Sequence, residues 1–432
     1  MFWKRRSASA TPPELHGGTV EAAARHPAFA EIDKPRRGGV TTQQVMAHLR
    51  RYGLLEDDDR IQPFLKTLTA ETERRPIGEA AFAKLVKAHH DIISRALSGG
   101  LVIPDFPSFA SAVELEYQSV RTINQGAVAK YIPELARADH KACGVAMCTI
   151  DGQRALFGDA KTPFTVQSVS KLALYCLALE LYGRDTVHQF VGREPSGQRF
   201  NALTLNDQNL PHNPMINAGA IACSSIILPD KALPQRFEAL RDVWQTMAGG
   251  RPFGFSTQVY TSERQSADQN FALAYFMKEN KVFPPASNMM ETLDLYFQAC
   301  AMEADVDRLA LAAATLANGG VCPLTGKQAV HNRHVKNCLS MMFTNGMYNY
   351  SGEFAFLVGL PAKSGVSGVI VAVVPGLLGL AIWSPPVDDK GNSVRGVELC
   401  KRLTAKFNFH TFDGVDQRSG KIDPRQLRSA KR

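Results

Sequence analysis

Apolar positions in the first hundred residues recur at helical spacing. Val45, Met46 and Leu49 share one face of a segment that Thr41-Thr42 can cap and Gly53 can close. Phe82, Leu85, Val86, His89, Ile92, Ile93 and Ala96 form a second stripe. It predicts one helix over about 78–97, stopped by Gly99-Gly100, with His89 as a core or boundary residue. Ile103-Pro104-Asp105-Phe106-Pro107 breaks the pattern and marks a boundary. Beyond it the period changes. Residues 144–150 read as a buried strand, Asp151-Gly152 as a hairpin turn and 153–157 as the return strand. Residues 168–182 are apolar nearly all round, which predicts a helix buried at the domain centre. Helices are expected near 271–278, 290–301 and 306–317, and strands at 353–358, 366–374 and 377–383. Early strands, then helices, then a late antiparallel set predict an α+β, mixed α/β/α domain whose two chain ends share one sheet.

Composition narrows the classes. The chain has 432 residues, 45% hydrophobic and 21% charged, which excludes a wholly disordered chain and a collagen-like fibre. The longest apolar run, 368–383, is interrupted by Pro375-Gly376 and reads as two strands, so no membrane span is expected. The net charge of +8 permits an anionic partner. Its carriers are short pairs, such as Arg36-Arg37, Arg50-Arg51 and Arg74-Arg75, and the end at Arg425, Arg428, Lys431 and Arg432. The Glu56-Asp57-Asp58-Asp59 run interrupts them and no aromatic residues interleave, so they read as solvated faces and not as a nucleic-acid site. Asp57-x-Asp59 lacks the Gly and Glu that a calcium loop needs at its sixth and twelfth positions. The eight cysteines contain no C-x-x-C and are expected to be buried reduced thiols. The start, Met1 to Arg6, is basic without a following apolar segment. Residues 1–25 therefore read as a disordered tail and the expected compartment as the cytoplasm, with a mitochondrial leader the less favoured reading.

Ser168-Val169-Ser170-Lys171 is the sharpest chemical signal. A Ser and a Lys three apart at a helix start share a face, and a desolvated lysine can take the serine proton. The competing reading is an N-cap serine with an exposed lysine. Much later, Lys363-Ser364-Gly365 stands before a predicted strand. S-x-x-K followed by K-[ST]-G is the pattern of penicillin-recognising serine hydrolases, although no Ser-Asp-Asn lies between. The stretch from Pro211 to Ile221 reads as a close-packed loop entering a helix, with Asn217 either at a polar ligand or satisfying a turn. His331-x-x-His334 has no carboxylate or thiol to complete a metal site and reads as surface histidines.

Gln167-Ser168-Val169-Ser170-Lys171, Pro211-His212-Asn213-Pro214-Met215-Ile216-Asn217-Ala218-Gly219-Ala220 and Ser262-Glu263-Arg264 resemble the serine-dependent glutaminase family. So do Asn270-Phe271-Ala272, Gly346-Met347-Tyr348 and Ala362-Lys363-Ser364-Gly365-Val366. The resemblance runs from about residue 25 to 425. It implies a serine β-lactamase-like catalytic domain over 106–410, preceded by an all-helical EF-hand-like domain over 26–105 and followed by a tail over 411–432. The ankyrin repeats of longer kidney-type relatives are not expected within these residues. It further implies that Ser168 is the nucleophile, Lys171 its base and Tyr348 a proton shuttle. The N–H groups of Ser168 and Val366 would form the oxyanion hole. Glu263 would take the ammonium of L-glutamine, and Tyr131, Gln167, Asn217, Asn270 and Tyr296 would hold its amino-acid end or orient the amide. On residue type alone, Glu263 beside Arg264 reads as a solvated ion pair, and Tyr131 and Tyr296 as core aromatics. The role of Lys363 stays open.

Pro195-Ser196-Gly197-Gln198-Arg199-Phe200 resembles the gating loop of kidney-type enzymes, whose activity responds to phosphate and to tetramer or filament assembly. Gln198 stands where those relatives usually have Leu, which separates phosphate activation from the expected tetramer. No cofactor is expected. Three functions compete: a glutaminase, another penicillin-recognising acyl hydrolase, and a non-catalytic metabolite-binding regulator. Glu263 and the missing Ser-Asp-Asn speak against the second, and Ser168, Lys171 and Tyr348 against the third.

Overall fold

Five short helices open the described chain: α1 (Pro27–Ile32), α2 (Thr42–Arg51), α3 (Gln62–Thr72), α4 (Glu79–Ala88) and α5 (Ile92–Ser98). The computed structural model describes residues 26–34, 37–73, 75–89, 91–198, 202–415 and 420–427. The expected 1–25 tail lies outside them. Thr41 starts α2 with a capping box: its hydroxyl accepts from the Gln44 N–H, and the Gln44 side chain accepts from the Thr41 N–H. The apolar stripes close over one core of Phe29, Val45, Leu49, Phe64, Phe82 and Ile93. The single helix expected over 78–97 is two. Asp91, at φ 60, turns the chain between α4 and α5. Both halves keep their apolar faces on the same core, so the helical period survives the break.

Helix α6 (Phe106–Arg121) begins inside the segment expected to be only a boundary. Asp105 caps it by accepting from the N–H and hydroxyl of Ser108, and Pro107 sits in the first turn, where its missing N–H costs nothing. A one-turn helix, α7 (Pro133–Ala136), leads to the main sheet. Its strands are β1 (Gly144–Thr149) and β2 (Arg154–Gly158), then, after the small strands β3 (Phe164–Thr165), β4 (Gly254–Phe255) and β5 (Met302–Ala304), β6 (Ala362–Gly365), β7 (Val369–Val374) and β8 (Leu378–Trp383). The order β2-β1-β8-β7-β6 is antiparallel throughout, with Gly144 opposite both Gly158 and Trp383. Early and late strands thus share one sheet, while β3-β5-β4 forms a second, smaller one.

Helices cover both faces of the main sheet. Between the strand groups run α8 (Ser170–Val187), α9 (Asn217–Ile226), α10 (Leu233–Met247), α11 (Thr257–Gln265), α12 (Asp268–Glu279), α13 (Met289–Cys300), α14 (Val306–Ala317) and α15 (Asn332–Asn345). The alanine-rich α14 lies directly on β1, β7 and β8, and α8 is buried on nearly every side up to Leu179. On the other face, α6 packs with α17 (Val394–Lys406). Segment 353–358 is no strand but helix α16 (Ser351–Leu357). Its Phe-Ala-Phe alternation mimics a strand, but Phe354 is buried while Phe356 is 80% exposed. Lys363-Ser364-Gly365 itself forms the edge strand β6 rather than preceding it. The described part of the expected C-terminal tail is docked: Ile422 pairs with Phe407, Lys421 with Asp413, and Leu427 packs on the core. All eight cysteines are buried and free.

The acidic run near residue 57 joins the helical domain to the sheet. Fully buried Arg154 on β2 bridges Asp57 and Asp307, and Arg251 and Lys161 reach the same two carboxylates. Asp58 pairs with Arg60, whose guanidinium donates to the Asp151 carbonyl in the β1–β2 turn. Burial pushes the Asp57 and Asp307 carboxyls up, but these cations outweigh it and hold both below the usual range.

Candidate active site

Strand β3 delivers the chain into a tight 3-10 turn, Gln167–Val169, from which α8 departs. Gln167 is held at φ 49, a left-handed conformation rare for this residue type, which sets Ser168 at the foot of the buried helix. Lys171, the first residue after Ser170 in α8, extends its Nζ to 2.7 Å from Ser168 Oγ and 3.2 Å from Tyr296 Oη. It is 1% exposed, so the competing reading of an exposed lysine beside a cap fails and the lysine is desolvated as expected. Burial lowers its pKa to about 8, against the opposing pull of Cys300 and Glu263.

Two close approaches bring remote residues to Ser168. A Cβ on Gly365 would stand 2.9 Å from the Val166 carbonyl, so only glycine lets β6 lie against the serine turn and carry Val366 to its side. A Cβ on Gly346 would collide with the Ala362 carbonyl, so glycine also lets α15 end on β6. The chain then turns through Tyr348, at φ 52, whose hydroxyl meets the Ser168 side chain. Burial pushes the Tyr348 phenol well up, and the bond to Ser168 opposes that.

Ser168, Tyr348, Tyr296 and Val366 line a cleft of about 380 Å³. Tyr131, Gln167, Glu263, Asn217 and Asn270 line it as well. Tyr131 Oη donates to Glu263 Oε1 at 2.5 Å and lies 3.1 Å from Gln167 Oε1, and Asn217 Nδ2 donates to Asn270 Oδ1 at 3.1 Å. Burial raises the Glu263 carboxyl and, with the neighbouring carboxylate, the Tyr131 phenol. Every residue singled out for the site therefore lines this cleft, except Lys171, which stands behind Ser168. Arg264 turns away to Asp294 at 2.7 Å, so Glu263 is not its partner. Tyr131 is 49% exposed and is no core aromatic; Tyr296 is buried, but its hydroxyl meets Lys171.

Some wall residues carried no sequence signal. Ser266, Ala267, Gln269, Cys300 and Gly391 complete the cleft, and Lys363 lies behind Tyr348. Gly391 sits in a polar turn whose place beside the Tyr348 ring depends on tertiary packing alone. His331 bonds Glu180 at 2.6 Å, and His334, expected at the surface, is buried. Among the described residues no cluster of His, Cys, Asp and Glu is able to hold a metal ion. Pro195 to Gln198 border a second cavity of about 360 Å³ that shares Tyr348 as a wall. Arg199 and Phe200 of the expected gating loop lie outside the described residues.

Comparison with known proteins agrees with this layout. The family model described as glutaminase matches residues 126–412, and one described as an EF-hand domain matches 28–104. The chain is 41% identical to putative glutaminase 2 of Caenorhabditis elegans, over 91% of this chain and 67% of that one. It is 42% identical to the rat (Rattus norvegicus) mitochondrial liver isoform of glutaminase, over 88% of this chain. It spans 64% of the length of that rat relative. A glutaminase of Trichormus variabilis is 44% identical over 76% of this chain and 97% of its own length. Among solved structures, the probable glutaminase ybaS superposes with a TM-score of 0.66 at 36% identity, covering 70% of this chain and 97% of that one. Mglu in its tris and glutamate form gives 0.67 at 34%, covering 71% and 68%. With the Ser168 turn, the edge strand and the cleft all inside the matched span, the chain belongs to the glutaminase family.

Proposed function

We propose that this chain performs the reaction of its family, hydrolysis of the side-chain amide of L-glutamine to L-glutamate and ammonia, through a γ-glutamyl ester on Ser168. The observation that carries the reading is one cleft lined both by Ser168, 2.7 Å from Lys171, and by the Tyr131–Glu263 pair. Lys171 takes the Ser168 proton as Oγ attacks the amide carbon. The N–H groups of Ser168 and Val366 receive the oxyanion. The proton passes from Lys171 through Tyr348 to the leaving nitrogen, and ammonia departs. Water, deprotonated by Lys171, then opens the ester and releases glutamate. Glu263 takes the substrate ammonium, while Tyr131, Gln167, Asn217, Asn270 and Tyr296 bond its amino-acid end or orient the amide. The similarity to Mglu in its tris and glutamate form supports this use of the cleft.

The chemistry needs no cofactor. The enzyme works as a tetramer in the cytoplasm, and phosphate, if it activates, acts from outside the reacting groups. Among the described residues no helix is long and apolar enough to cross a membrane. The test is ammonia release from glutamine and asparagine, with and without phosphate, together with nitrocefin cleavage, by wild type and Ser168→Ala. Ser168-dependent turnover of glutamine is expected. Nitrocefin cleavage without it favours the penicillin-recognising alternative, and glutamine binding with no turnover favours a regulator.

A further inference from the structure

We propose that Lys363 is a positioning residue of this reaction that acts through Tyr348, its amine fixed over the face of the tyrosine ring. The inference rests on the glutaminase reading above. Lys363 lies on β6 and has no exposed surface. Its Nζ donates to the Ser364 carbonyl at 2.7 Å and stands 4.7 Å from the centre of the Tyr348 ring. It makes no ion pair among the described residues, and it is not one of the residues that line the cleft. A buried amine without a carboxylate partner is destabilising by itself and calls for a compensating use.

Tyr348 is the group within its reach. That residue holds a left-handed backbone at φ 52, with Gly391 beside the ring edge. Its hydroxyl must face Ser168 while a proton crosses it, and negative charge grows on the phenol oxygen during the transfer. An amine packed on the ring face and tethered to the Ser364 carbonyl fixes the ring. No proton has to reach Lys363, because the serine proton travels from Lys171 to Tyr348 to the leaving nitrogen. The titratable groups around this amine are Tyr348, Lys171 on α8, Cys300 and Tyr296 on α13, and beyond them Glu263 on α11. Burial and the neighbouring Lys171 hold the Lys363 amine well below the usual lysine range. Two amines in one water-poor site do not both keep their protons, and Lys363 is the one that gives its proton up first.

The test measures glutamine kinetics and their pH profiles for wild type, Ser168→Ala, Lys363→Met, Lys363→Arg, Tyr348→Phe and Tyr348→Phe/Lys363→Met. Lys363→Met is expected to lower kcat about tenfold to a hundredfold, with KM within about threefold. Its acid limb should stay in place, because Lys363 is neutral when Lys171 titrates, whereas Lys363→Arg, with a permanent charge, should move that limb to lower pH. On the Tyr348→Phe background the methionine should cost little further. An equal loss on both backgrounds, or an unmoved acid limb in Lys363→Arg, overturns the proposal. If the methionine variant fails to fold, the arginine variant decides, and wild-type kinetics in it overturn the proposal. Absence of Ser168-dependent turnover in wild type would sink the glutaminase reading instead, and the role of Lys363 with it.

Discussion

The Nζ of Lys171 lies 2.7 Å from Oγ of Ser168, with almost no water-exposed surface to stabilise a charge on the amine. A base has to be neutral to accept the serine proton, and burial brings this one to about 8. The kcat/KM profile for glutamine should therefore rise through an acid limb with a midpoint near pH 8. A limb near the free lysine value, or none, would show that Lys171 is not the base.

The same desolvation makes Lys171 a stability cost. A lysine whose folded pKa lies below its unfolded value opposes folding at neutral pH, and the penalty fades as pH rises from the folded to the unfolded value. Its size is about 3 kcal/mol at pH 7. Lys171→Met should abolish turnover yet raise Tm by a few degrees at pH 7, with a smaller gain at pH 10. Calorimetry at both pH values checks this, and a lower Tm at pH 7 would contradict it.

Glu263 shares its Oε1 with the Tyr131 hydroxyl at 2.5 Å and pairs with no cation among the described residues. A substrate ammonium would complete it. Glu263→Gln should raise KM for glutamine about tenfold to a hundredfold, the value of one charge-assisted hydrogen bond, with kcat changed much less. Steady-state kinetics decide it, and a loss confined to kcat would place Glu263 in the chemistry instead.

Asp307 is 1% exposed and faces Arg154, Arg251 and Lys161, far from any role in the cleft. Asp307→Ala would leave the buried Arg154 guanidinium with only the half-exposed Asp57 and should destabilise the fold by about 3 kcal/mol, without changing kcat of the folded fraction. Asp57→Asn, half-exposed, should cost less. Both carboxyls sit below their unfolded value, so their contribution is complete above about pH 4 and disappears as pH falls through the folded values. Denaturant titrations of the two variants at pH 7 and at pH 3 should converge towards wild type at the lower pH.

Much of this architecture is local, and local features were readable. The β1–β2 hairpin announces itself by an apolar run, Asp151-Gly152 and a return strand, and α8 by its apolar surface on all sides. Where two periods overlap, the reading failed. Phe354-Ala355-Phe356 alternates like a strand, but the alternation buries one ring and exposes the other on a helix. The stripe over 78–97 kept helical phase across a turn at Asp91, so the pattern alone does not show the break. The motif residues converge on one cleft because Gly346 and Gly365 allow contacts that no spacing reveals. Gly391 and Lys363 reach Tyr348 only through the packing of β6 and its neighbours, which is why one went unnoticed and the other had no role.

The most direct measurement is intact-protein and peptide mass spectrometry of enzyme quenched in acid during glutamine turnover. A γ-glutamyl adduct is expected on the peptide that carries Ser168, present in wild type and absent in Ser168→Ala, which should also release no ammonia. Glutamine turnover by Ser168→Ala, or an adduct on another residue, would contradict the role given to Ser168.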